Sequence, residues 1–95
     1  MHLFVLCSHF KQQAMTLQQQ NDDHYLIKDS KGEKVIELYV RENFPWFEAR
    51  LHSYWTKANT CLKADCKTAN EARNYLVRFS SVWLKAGPET RERIY

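Results

Sequence analysis

Residues Phe44 to Ala58 read FPWFEARLHSYWTKA, and the period assigned to this stretch decides the fold. Phe44, Phe47, Leu51, Trp55, Ala58 and Leu62 recur at spacings of 3, 4, 4, 3 and 4, which fall within one narrow stripe of an α-helix. Asn43 reads as the cap, and Pro45 fits the first helical turn, where a missing N–H is tolerated. The spacing predicts a helix over residues 44–63.

On that helix Phe44, Phe47 and Trp55 belong to the core stripe and Tyr54 lies at its edge. Trp46 projects to the opposite side, with Arg50, Ser53 and Lys57 around it. An indole beside two cations has the composition of a binding patch, because the ring stacks and the cations meet phosphates or carboxylates. The competing reading folds Trp46 back over the preceding element as one more core ring.

Downstream, the helix breaks at ADCK, and Thr68 to Glu71 (TANE) form a capping box. A second helix then runs to Ala86, where Gly87 and Pro88 stop it. Its core stripe is Ala72, Tyr75, Leu76, Phe79, Trp83 and Ala86, flanked by Val82. Val77 and Leu84 stand together away from that stripe and suggest a seam against another helix.

Upstream, HYLIKDSKGEKVIELYV places Asp29 first and Gly32 last in a type I turn. Residues 24–29 and 33–41 then pair as an antiparallel hairpin, with Asp29 opposite Glu33, Ile27 opposite Val35 and Leu26 opposite Ile36. Leu26, Ile36, Leu38 and Val40 form its better core face. Tyr25, Ile27, Val35 and Tyr39 form a second face that also needs cover. Leu3 to Cys7 reads as a third strand, and Ser8 as the cap of a short helix carrying Phe10, Ala14 and Leu17. The blander reading starts the working protein at Met15, with the earlier residues loosely held. The fold expected is α+β, a single domain in which an antiparallel hairpin, or three strands, packs on a two-helix antiparallel hairpin, with 1–20 loosely ordered and 88–95 a tail.

Composition narrows the function. The 95 residues, 44% hydrophobic and 14% aromatic, suffice for one core. Residues 1–43 carry five Lys/Arg against six Asp/Glu, and 44–95 carry nine against five, so the net +3 is concentrated in the second half. Three cysteines, with no secretory signal, read as cytoplasmic. No apolar run reaches membrane-spanning length. Both glycines are already assigned, Gly32 to the hairpin turn and Gly87 to a helix end, which argues against a phosphate-cradling loop and a bound nucleotide.

Glu48 and His52, one helical turn apart, are the nearest approach to an acid–base pair, and nothing supplies a third group. Cys61 and Cys66, with His52, Cys7 and His9, offer soft ligands, but the spacing is wrong for a zinc knuckle and the thiols read as structural. No catalytic residue, metal or cofactor is expected. The reading is a non-enzymatic protein-binding module, a small regulator or inhibitor, that engages a protein partner or forms a homodimer. Its contacts would be Trp46, Arg50, Lys57, Tyr25, Tyr39, Val77 and Leu84. The alternative is a DNA-binding regulator that uses Asn70, Arg73, Asn74, Arg78 and Lys85 of the second helix.

Overall fold

The computed structural model describes residues 15–86. The readings placed on Leu3–Cys7, on Ser8, Phe10 and Ala14, and on Gly87, Pro88 and the tail lie outside the described residues. Within them the chain forms β1 (Thr16–Asn21), β2 (His24–Lys28), β3 (Lys34–Asn43), β4 (Trp46–Ser53), β5 (Ala58–Cys66) and α1 (Ala69–Lys85). The strands pair antiparallel in sequence order as one five-stranded sheet.

The expected two-helix hairpin is therefore overturned: residues 44–63 are not a helix but most of β4 and β5. Phe47, Ala49, Leu51 and Ser53 turn toward the core, and Glu48, Arg50 and His52 turn away from it. This is period two, hidden because Ser53 is polar and because Phe47, Leu51 and Trp55, four apart, fit a helical stripe equally well. Phe44 and Pro45, read as helix start, are the two-residue connection between β3 and β4, with Asn43 opposite Trp46. Ser53 closes the other end: its carbonyl accepts from the Lys57 N–H (2.8 Å) and its hydroxyl from the Thr56 N–H (3.2 Å). Lys57, at φ +61°, takes the left-handed position that glycine usually fills.

The β2–β3 hairpin forms where Asp29 and Gly32 place it. The Asp29 carboxylate accepts from the N–H of Lys31 (2.8 Å) and of Glu33 (3.0 Å), and Gly32 sits at φ +82°. Its register differs from the sequence reading. Lys28 pairs with Lys34, but Ile27 pairs with Ile36 and Tyr25 with Leu38, leaving Val35 as the extra residue of a bulge. That slip of one residue regroups the faces. Tyr25, Ile27, Ile36 and Leu38 join Ala49, Leu51 and Cys66 beneath α1, while Leu26 and Tyr39 go to the opposite side. The third strand of this region is β1, which takes in Leu17, assigned by sequence to a helix.

The Thr68 hydroxyl accepts from the Glu71 N–H (3.1 Å), and the Glu71 carboxylate accepts from the Lys67 N–H (3.2 Å), so α1 starts at its capping box. Ala72, Leu76, Ser80 and Trp83 are its buried residues, and it lies against β3, β4 and β5. Val82, expected beside the core stripe, is exposed. No helix among the described residues is long and apolar enough to cross a membrane.

Ala49 is fully buried under α1, where added volume must displace packed neighbours. Ala49→Leu is expected to destabilise by about 1–3 kcal/mol, read as a lower urea midpoint. A surface helix position would leave that midpoint unchanged.

Candidate functional site

One helix covers one side of the sheet, and among the described residues no element packs on the other side, although Leu26 there is only 7% exposed. Strand alternation puts Leu26, Glu37, His52 and Asn59 in one row across β2 to β5, and His24, Tyr39, Arg50 and Cys61 in the next. Arg41 pairs with Glu48, and Asn43 with Trp46, toward the β3–β4 end of the same face.

Two hydrogen-bonded groups organise this face. In the first, Tyr54 donates its hydroxyl to Glu37 Oε1 (2.5 Å), and His24 Nε2 meets Glu37 Oε2. Lys34 Nζ lies 5.6 Å from the centre of the Tyr54 ring. In the second, Asn59 Oδ1 accepts from the Tyr39 hydroxyl (3.4 Å) and lies 3.1 Å from His52 Nδ1. The His52 and Tyr54 rings meet edge to face at 4.8 Å and link the groups. Further along, Arg50 Nη1 donates to Glu48 Oε1 (3.2 Å). An open depression of about 530 Å³ lies over the face, lined by Asn21, Asp23, His24, Glu37, Tyr39, Val40, His52 and Asn59.

The electrostatics fix protons rather than move them. Burial works to raise the Glu37 carboxyl, but the hydrogen bonds from Tyr54 and His24, with the charges of His24 and Lys34, bring it below its ordinary value. The hydrogen bond to Glu37, then burial and the Glu37 charge, push the Tyr54 phenol up to about 12. Glu37 thus stays an acceptor and Tyr54 a donor across the neutral range. On the other side of the sheet, burial pushes the Cys66 thiol up and keeps it protonated in the core.

Of the sequence-predicted contacts, the sheet brings Trp46, Arg50 and Tyr39 onto this one face. Trp46 is 39% exposed, and neither the helix surface nor the core position foreseen for it exists. Tyr25 lies buried on the helix side. Lys57 is in the β4–β5 turn, Val77 is 50% exposed on α1, and Leu84, two turns further along the helix, packs against the core cluster rather than away from it. Of the nucleic-acid candidates, Asn70, Asn74, Arg78 and Lys85 are exposed on α1, whereas Arg73 donates to Asp23 (2.5 Å) in the β1–β2 turn. Glu48 and His52 are separate on β4: Glu48 holds Arg50, and His52 meets Asn59. Cys61 is exposed and Cys66 buried, both as free thiols. Among the described residues no group of three or more His, Cys, Asp or Glu side chains is placed to hold a metal ion.

The sequence reading missed His24, Glu37, Arg41, Tyr54 and Asn59. A signal for one of them was present: Tyr54 continues the alternation of Trp46, Glu48, Arg50 and His52 against Phe47, Ala49, Leu51 and Ser53. Compared with protein-family models, with curated proteins and with solved structures, the chain finds no match.

The Tyr54 phenol carries a testable consequence. A group whose folded pKa lies above its unfolded value of 10.0 contributes stability that is complete below pH 10 and lost as pH rises toward about 12. Thermal melts over that window are expected to show a loss in the wild type that is smaller in Tyr54→Phe.

Proposed function

We propose that the protein is a non-enzymatic binding module, a small regulator or inhibitor, that recognises another protein through the open face of its sheet. The observation that carries this reading is the strip along β3 and β4: Trp46, then Arg41 with Glu48, then Tyr39 with Arg50, then Glu37 with His52. Tryptophan, tyrosine and arginine are the residues that dominate protein interfaces, and here they stand on rigid strands rather than loops. From Trp46 to Tyr54 the strip runs roughly 26 Å at strand spacing, a length suited to a protein surface.

The charges favour a protein over a polyanion. Arg50 is engaged by Glu48, and Glu37 by His24 and Tyr54, so the face carries both signs in alternation. A phosphate-tracking groove would present cations without carboxylates between them. The exposed thiol of Cys61 suits a reducing compartment such as the cytoplasm. The second reading, DNA binding through Asn70, Asn74, Arg78 and Lys85, is favoured by their exposure on one helix. It loses the helix-turn-helix setting, because β5 precedes α1 where a helix was expected.

Fluorescence anisotropy of labelled random-sequence duplex and single-stranded DNA, from low to physiological salt, is expected to stay flat. Binding that weakens steeply with salt would support the DNA reading instead. Against a purified protein partner, Trp46→Ala is expected to raise Kd roughly tenfold or more, about 1.4 kcal/mol, with the melting curve retained. An unchanged Kd would remove the open face from the contact.

A further inference from the structure

The two edges of the sheet are treated differently. β5 is guarded: its pairing with β4 shifts register twice, Asp65 sits at φ +60°, and Lys63 and Asp65 place charges along it. β1 has none of these devices along most of its length. Its six residues, TLQQQN, are all exposed, uncharged and free of proline, and the one irregularity falls near the end, between Gln19 and Asn21. Among the described residues no strand lies on the outer side of β1. Every second residue of such an edge turns its N–H and C=O outward, a template for another strand.

We propose that β1 pairs with β1 of a second copy of this chain, antiparallel about a two-fold axis, to form a dimer with one continuous sheet. Self-pairing suits this edge because it carries no charge, so two copies meet without like-charge repulsion. Glutamine amides both donate and accept, so identical side chains satisfy one another across the seam. Residues directly opposite in an antiparallel ladder share a face, and a two-fold axis normal to the sheet keeps each face on its own side. Both conditions require a residue on the axis to oppose its own counterpart.

Centring the axis on Gln18 sets Gln18 against Gln18, Leu17 against Gln19 and Thr16 against Gln20 of the second copy, with the irregular Gln19–Asn21 end kept at the margin. Leu17, 39% exposed on the isolated edge, gains a neighbour. Gln18 lies opposite Leu26 and so belongs to the open face. The dimer therefore presents both open faces on the same side and both helices on the other. Because β5 is guarded, each copy has one edge to give, and association stops at two rather than growing into a filament.

The pairing does not rest on what the open face binds, and mass in solution tests it separately. Sedimentation velocity over a wide concentration range is expected to show the wild type at twice the mass of one chain. Gln18→Lys and Gln18→Glu, each placing like charges face to face on the axis, are expected to sediment as monomers that still melt cooperatively, with a midpoint that no longer depends on concentration. Mixing the two variants is expected to restore the dimer as a Lys–Glu heterodimer. A wild type that stays monomeric throughout overturns the proposal, as does a dimer that survives in both charged variants.

Discussion

One helix can cover one side of a sheet and no more, and the rest of this structure depends on that constraint. At 17 residues, α1 is about 26 Å long, against roughly 19 Å between the outer strands of a five-stranded sheet. The covered side must then be apolar and the other side must survive in water. Tyr25, Ile27, Ile36, Leu38, Ala49 and Leu51 meet the first demand beneath Ala72, Leu76 and Trp83. Hydrogen-bonded polar side chains meet the second.

The open side is polar without being featureless. Glu37 is held between Tyr54 and His24, Asn59 between Tyr39 and His52, and Glu48 beside Arg50. These contacts fix rotamers in the free chain, which would lower the entropy lost in the binding proposed above. Trp46 and Arg41 extend the surface toward the β3–β4 connection, where Phe44 is 86% exposed at the turn itself. The face is thus a rigid, mixed-charge strip with aromatic rings along it, and it sits on strands whose register the core enforces from behind.

Local signals in the sequence were readable, and so was the helical period of α1, whereas the period of residues 44–63 was not. Asp29 with Gly32, and Thr68 with Glu71, announce a turn and a helix start through hydrogen bonds spanning a few residues, and both form. Phe47, Leu51 and Trp55 are four apart, a spacing shared by a helical stripe and one face of a strand. The steps of three that tipped the reading to a helix, Phe44 to Phe47 and Trp55 to Ala58, cross turns. Those turns carry no glycine, and in the second of them Lys57 takes positive φ itself. Trp46 and Arg50 came out on one surface for the same reason, through a spacing that both periods allow. His24, Glu37 and Asn59 were beyond sequence reach because the sheet register, including the bulge at Val35, is what brings them beside the others.

The most direct test of this account is the pattern of nuclear Overhauser contacts through residues 46–53. Cross-strand contacts linking Leu38 with Leu51 and Tyr39 with Arg50 are the result predicted, since these pairs set both the core and the open face. A run of contacts between residues three apart through the same segment would instead establish a helix, and the open face would not exist.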